Sequence, residues 1–290
     1  MSIVVTGATG HLGRLVIAEL LARGVAPGEI AAVARDADRA ADLAGQQIGV
    51  RVADYARPET LKDAFRAGDR VLFISGSEVG QRVAQHTAVV EAATAAGVAQ
   101  LVYTGILGGP DADLLLAAEH KATEDLILAS KLPYTFLRNG WYTEVYTENL
   151  GTVLEHGAVL GSAGDGRIAS AARADYAAAA AAVLTGTGHE NKAYELSGDT
   201  AWSLAEYAAV IAEQTGREIV YRDVTPAEYR EVLVGAGVPA GFADVLVDVD
   251  QAVKRGLLAR TSGDLSRLIG RPTTPLAESV AAAVKGLDLS

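Results

Sequence analysis

The sequence predicts an α/β fold, a doubly wound parallel sheet joined to a smaller, mostly helical lobe. Three observations predict it. Short β-branched runs alternate with longer amphipathic stretches through the first half of the chain. A Gly-x-x-Gly-x-x-Gly string stands between the first such run and the first such stretch. Past residue 139 helical patterns take over.

Taken in order, residues 2–6 (Ser-Ile-Val-Val-Thr) read as a strand, and 11–23 as a helix whose apolar residues recur at helical spacing. Strands follow at 29–35, 48–52, 70–75, 100–104 and 134–137, separated by helices at 37–44, 58–66, 79–96 and 114–130. Beyond them the patterns predict helices over 143–155, 173–184, 204–215, 226–236 and 242–254. Two short strand-like pieces, 193–196 and 218–221, and a glycine-rich loop at 161–166 lie between these helices. Residues 1–138 are therefore expected to form a nucleotide-binding domain, and 139–290 to complete the sheet and add a substrate lobe. No Pro- or Ser-rich linker separates them.

The 290 residues are half hydrophobic and 21% charged, the balance of a globular protein. A formal net charge of -11 repels phosphate backbones and argues against nucleic acid as a partner. An anionic ligand must then be held by local positive groups. The absence of cysteine excludes disulfides, thiolate catalysis and Cys-ligated zinc. The first residues lack the basic-then-apolar pattern of a signal peptide. No apolar run approaches the roughly 20 residues of a membrane span. The longest, 176–184, is mostly alanine and reads as a buried helix segment. A cytoplasmic location is consistent with all of this.

The most informative string is Thr6-Gly7-Ala8-Thr9-Gly10-His11-Leu12-Gly13, which follows a strand and opens a helix. Gly7 permits the tight turn, Gly10 lets backbone amides reach a diphosphate, and Gly13 lets helix and strand pack closely. The helix start supplies free N–H groups and partial positive charge. In that context the string predicts a Rossmann-like dinucleotide site that includes Thr9, His11 and Leu12. At the end of the second strand stands Arg35 rather than the carboxylate usual for NAD, and a guanidinium suits a 2′-phosphate. NADPH is thus the expected cofactor, with NADH weaker. The neighbouring Asp36 either faces the same pocket or caps the next helix. Asp54, after the third strand, either accepts from the adenine amino group or caps a helix. Ser75, Gly76 and Ser77 end the fourth strand, and their small size leaves room for ribose and diphosphate.

Alcohol-oxidising short-chain dehydrogenases use a Tyr-x-x-x-Lys pair for proton transfer. No tyrosine here has Lys four residues on; Tyr134 is followed by Arg138 and Tyr103 by Leu107. That argues against ordinary alcohol oxidation and against sugar-nucleotide epimerisation.

The strings Thr6 to Gly13, Leu72-Phe-Ile-Ser-Gly-Ser-Glu-Val-Gly-Gln-Arg82, Tyr134-Thr-Phe-Leu-Arg-Asn-Gly-Trp-Tyr142, Ile168-Ala-Ser-Ala-Ala-Arg-Ala-Asp-Tyr176 and Leu268-Ile-Gly-Arg-Pro-Thr-Thr-Pro-Leu-Ala-Glu278 resemble the NmrA-like group of atypical short-chain dehydrogenases. Within that group the chain is most similar to bacterial type 2 NAD(P)H:quinone oxidoreductases, with triphenylmethane dye reductases near by. The resemblance runs nearly end to end. It implies direct hydride transfer from NADPH to a quinone or similar flat acceptor, with neither flavin nor metal. It also implies that Asn139, Gly140, Trp141, Tyr142, Thr143, Glu144 and Arg173 help hold the cofactor, and it admits a homodimer. The chain departs from the pattern at His11, where close relatives carry Gln, and at Tyr103-Thr104-Gly105, where quinone reductases carry Ser after Tyr-Thr as dye reductases do not.

A quinone becomes aromatic on reduction, so its site needs orientation more than a strong acid. The candidate donors toward the developing oxyanion are His120, near the place where isoflavone-type reductases carry a catalytic Lys, and Tyr142. His120 can equally be a surface histidine in an Ala/Glu-rich helix, with Lys121 solvated beside it. Trp141 and Tyr142 either stack on a flat substrate or belong to the core. Two other functions fit the same residues. One is reduction of dyes or other electrophiles; the other is a non-catalytic, dinucleotide-sensing regulator that acts through a protein partner.

Overall fold

The computed structural model describes residues 2–287; the final three positions of the predicted carboxyl half lie outside it. The amino half runs β1 (Ile3–Val5), α1 (His11–Ala22), β2 (Ile30–Ala34), α2 (Ala41–Gly45), β3 (Gly49–Val52), β4 (Arg70–Phe73), α3 (Arg82–Ala96), β5 (Gln100–Ile106), α4 (Ala117–Ser130) and β6 (Tyr134–Asn139). The rest contributes α5 (Glu144–Thr147), α6 (Leu150–His156), β7 (Ala158–Gly161), β8 (Arg167–Ile168), α7 (Arg173–Thr185), β9 (Lys192–Leu196), β10 (Trp202–Ser203), α8 (Leu204–Thr215), β11 (Val220–Asp223), α9 (Pro226–Gly235), α10 (Ala240–Lys254), α11 (Asp264–Ile269) and α12 (Leu276–Leu287).

Seven strands form one parallel sheet in the order β3-β2-β1-β4-β5-β6-β9, the doubly wound arrangement the sequence predicts. The winding reverses between β1 and β4, where Ile3 is in register with Ile30 on one side and Arg70 on the other. In such sheets the crevice outside the carboxyl ends at the reversal is where a ligand fits.

Parallel strands need cover on both faces, and two apolar clusters supply it. Val16, Ile17 and Leu20 of α1 pack with Ala177, Ala180, Ala181 and Leu184 of α7 on one face. The alanine run of 176–184 is thus a buried helix segment, as expected, and its short side chains let α7 approach α1. On the other face Val89 and Ala93 of α3 and Ile127 of α4 lie against Phe73 and Tyr103. A third cluster, built on Leu150, Trp202, Tyr207, Ile211, Val249 and Val253, is the core of the lobe. The lobe holds a parallel pair, β7 with β11, and an antiparallel pair, β8 with β10.

Several element boundaries differ from the predicted ones for local reasons. The helix predicted over 79–96 starts at Arg82 because Gly80 has φ +84°, outside the helical region. The stretch 58–66 is a 3₁₀ turn, Pro58–Asp63. The helix predicted over 143–155 breaks into α5 and α6, with Glu148 and Asn149 between them. Strand β6 continues two residues past its predicted end and delivers Asn139 to the sheet edge. The two-residue strands and the last two helices carry patterns too short or too late in the chain for the alternation rule to find.

Candidate active site

At the β1/β4 reversal the sheet edge opens into a crevice of about 230 Å³. It gathers predicted residues from four separate segments: Gly7, Thr9 and Gly10, then Arg35, then Asp54, then Ser75, Gly76 and Ser77. Its lining also includes Arg39, Tyr55, Glu78 and Gln85, which the sequence reading did not single out as site residues.

The floor is the β1–α1 turn. Gly7 holds φ +58°, a conformation that disfavours side chains. A Cβ on Gly13 would stand 2.4 Å from the Gly7 carbonyl oxygen and 2.8 Å from Ala8 Cα, so only glycine lets α1 start this close to the strand. Gly10 caps α1 without a side-chain bond to its first turn. The N–H groups of His11, Leu12 and Gly13 are the ones an α-helix leaves without intrahelical partners. An uncapped helix start beside a crevice suits a diphosphate. Behind the turn the Thr6 hydroxyl accepts from Ile74 N at 3.0 Å and from the Tyr55 hydroxyl, which ties β1, β3 and β4 together at the site.

Arg35 follows β2 directly, and its Nη1 lies 3.3 Å from Glu78 Oε1 across the crevice. Asp36 fills neither of its two expected roles. It is not among the residues lining the crevice, and its carboxylate accepts from Asp38 N at 2.9 Å in a local turn, while the helical segments that follow have no side-chain cap. Asp54 likewise accepts from Ala56 N at 3.0 Å and pairs with Arg57 at 3.5 Å, yet it still lines the crevice.

The 75–78 segment is pinned from behind by a buried polar network. Gly76 N donates to His86 Nε2 at 3.0 Å, so the neutral ring carries its proton on Nδ1 and donates it to Thr123 Oγ1 at 2.8 Å. The Thr123 hydroxyl in turn donates to the Glu119 carbonyl at 2.8 Å. Arg82 Nε donates to the Gly76 carbonyl at 2.5 Å, and Arg82 also meets Glu119 at 3.3 Å. His120 belongs here. It is 7% exposed, so the surface reading of this histidine is corrected: the first turn of α4 packs onto the sheet. Its Nδ1 shares a hydrogen bond of 2.7 Å with the Tyr103 hydroxyl.

Burial, with Arg82 near by, pushes both His86 and His120 down to about 3. The unfolded chain takes up protons below the ordinary value of 6.5 and the folded chain does not until far lower, so stability is lost as the pH falls through that window. Asp250, raised by burial to about 6, acts in the opposite sense over its own range. We expect the thermal midpoint to drop between about pH 7 and about pH 5, and His86→Gln, which keeps one donor and one acceptor but no titrating group, to flatten that slope. An unchanged slope in thermal melts would contradict the neutral, buried assignment.

The remaining predicted residues form a second group around α5 and the start of α7. Tyr142 accepts from Asn139 Nδ2 at 3.3 Å, stands edge-on to Tyr176 at 5.1 Å, and lies under the Arg173 guanidinium at 5.3 Å. Burial raises its hydroxyl above the ordinary range, against the opposing effects of Asn139 and Arg173. Trp141 packs on the lobe cluster, whereas Tyr142 packs on the sheet cluster. A Cβ on Gly140 would meet the Leu196 carbonyl at 3.0 Å and the Tyr176 hydroxyl at 3.1 Å, a tight fit where β6 passes β9. Thr143 bonds Ser170 at 2.8 Å, and both Glu144 oxygens accept from Arg173 N, at 2.8 and 3.0 Å. Arg173 Nη1 also reaches Glu148 at 3.0 Å, and His11 Nδ1 lies 3.9 Å from the same oxygen. The start of α1 and the start of α7 therefore meet at one carboxylate. Asn139 Oδ1 is buried with no partner among the described residues. That orphaned acceptor, the uncapped α1 start and the Gly13 contact are the features a dinucleotide fits.

Among the described residues no group of three or more His, Asp or Glu could hold a metal ion. None of the helices there is long and apolar enough to cross a membrane.

A family model described as NAD(P)H-binding matches residues 7–187. Quinone oxidoreductase 2 of Escherichia coli (strain K12) is 48% identical over 278 residues, 96% of this chain and 97% of that protein. The solved structure of the NADPH-dependent quinone oxidoreductase from Escherichia coli, complexed with NADPH, aligns with a TM-score of 0.94 at 47% identity, covering 97% of this chain and 99% of that one. Triphenylmethane reductase of Citrobacter sp., complexed with NADP(H), aligns with a TM-score of 0.93 at 42% identity over 97% and 100% of the two chains.

Proposed function

This chain belongs to the NAD(P)H-binding family, and on that premise we propose that it is an NADPH-dependent quinone oxidoreductase that works by direct hydride transfer without flavin. The observation that carries the reading is the crevice in which an uncapped helix start and Arg35 face one cavity. The backbone N–H groups of His11, Leu12 and Gly13 hold the diphosphate, and Arg35, with Arg39 beside it, holds the 2′-phosphate. Ser75, Gly76 and Ser77 leave space for the ribose, with Asp54 at the adenine end. NADPH bound there supplies the hydride.

The protein's own contribution is orientation, exclusion of water and proton handling. A quinone that takes one hydride becomes the hydroquinone monoanion, and one proton on its oxygen completes the product. Tyr142, kept protonated by burial, is the candidate donor toward that oxygen. His120 is held neutral, so it acts through its hydrogen bond to Tyr103 or donates as an imidazole, not as an imidazolium. Asn139, Gly140, Trp141, Thr143, Glu144 and Arg173 are the residues proposed to meet the cofactor from the lobe side. Residues 1–138 carry the cofactor half of this site and the later residues close it. A cytoplasmic location and a homodimer complete the proposal, and sedimentation of the purified protein tests the second.

Loss of reduced-nicotinamide absorbance on adding a simple benzoquinone to flavin-free protein is the expected result. Turnover with triphenylmethane dyes but not quinones would select the dye-reductase reading, which the Tyr103-Thr104-Gly105 string favours. NADPH binding with no turnover on either class would instead fit a dinucleotide sensor.

A further inference from the structure

The dinucleotide crevice holds a carboxylate where a 2′-phosphate reader would be expected to keep only positive charge. Glu78 lines the same cavity as Arg35 and Arg39, and its Oε1 lies 3.3 Å from Arg35 Nη1. This contact is not the chance swing of a long side chain. Its other oxygen, Oε2, accepts from Gln85 Nε2 at 2.8 Å, and Gln85 is itself buried on α3. The backbone on either side is anchored as well: Gly76 is gripped by His86 and Arg82, and Gly80 N donates to Glu119 at 2.9 Å. A buried amide and a fixed loop thus hold one carboxylate against the arginine assigned to the cofactor's extra phosphate.

We propose that Glu78 is a specificity-determining residue that restrains the preference for NADPH over NADH, an inference that rests on the cofactor assignment above. When NADPH binds, the 2′-phosphate takes Arg35 from Glu78, because a guanidinium–phosphate pair with two parallel hydrogen bonds outcompetes a single longer contact. Glu78 is then left beside a like charge, which costs affinity for NADPH alone. When NADH binds, no phosphate arrives. The Arg35–Glu78 pair stays intact, and the carboxylate is free to accept from a ribose hydroxyl, the role an acidic residue plays in NAD-preferring folds. One arginine and one carboxylate facing each other across the pocket therefore set the ratio of the two affinities. The pair is exposed, so its effect is modest and weakens with salt.

The test is a titration of NADPH and of NADH into the wild-type protein and into Glu78→Gln, with Glu78→Ala as a second variant and thermal melts to confirm folding. Gln keeps the size and the acceptor for Gln85 while removing the charge. The ratio of NADH to NADPH dissociation constants is expected to rise about three- to tenfold in both variants, chiefly through tighter NADPH binding. The rise should shrink as salt is added. A ratio that stays constant or falls would overturn the role of Glu78 while leaving the cofactor site in place. A wild-type protein that binds neither dinucleotide would overturn the cofactor assignment itself and the inference with it.

Discussion

Replacing Gly13 by alanine is expected to cut kcat/KM with NADPH by about a hundredfold and to destabilise the fold by about 2 kcal/mol. The added Cβ would lie 2.4 Å from the Gly7 carbonyl and 2.8 Å from Ala8 Cα, both backbone atoms that cannot rotate away. The start of α1 must therefore move off β1, and the N–H groups of its first turn move with it. Since those groups are the anion cradle, a shift of about 1 Å is enough to lose their aim. Gly10→Ala should be milder, because its Cβ would meet the Gly7 carbonyl at 3.2 Å. Gly28→Ala, with nothing within 4 Å, serves as the silent control. Steady-state kinetics and thermal melts on the three variants check the ordering; equal effects would contradict it.

Arg35→Ala should weaken NADPH binding by about ten- to a hundredfold, the worth of one or two hydrogen bonds to a charged group. NADH lacks the 2′-phosphate, so its affinity should change by less than about threefold. Fluorescence titration of both dinucleotides gives the comparison directly. Equal losses would mean that Arg35 supports the pocket's shape instead of reading the phosphate.

The parts of this site legible in the sequence are those whose requirement is local. Gly7 and Gly13 answer to the backbone of a single turn, and Arg35 can be placed because β2 is a short, clean apolar run that ends one residue before it. The alternation of strands and helices announced the sheet, since each strand buried on two faces needs an apolar run and each helix an apolar stripe. What stayed hidden depends on partners distant in sequence. Glu78 sits 43 residues from Arg35, and His86 meets Thr123 across 37. No periodicity marks either pair. His120 illustrates the same limit: its Ala/Glu-rich neighbours resemble a solvated helix face, while the packing of α4 against Tyr103 buries it. Glu144 and Arg173, expected near the cofactor from resemblance, turn out also to bond one another at the start of α7, a contact that no local pattern encodes. The lobe was the least legible. Its core joins Leu150, Trp202, Val249 and Val280, four positions spread over the second half of the chain.

A crystal structure of the protein soaked with NADP⁺ and a quinone analogue is the most direct test. Density for the diphosphate against the N–H groups of His11, Leu12 and Gly13, with the 2′-phosphate on Arg35, is the expected result. A dinucleotide bound elsewhere, or a crevice that rejects it while turnover persists, would contradict the assignment.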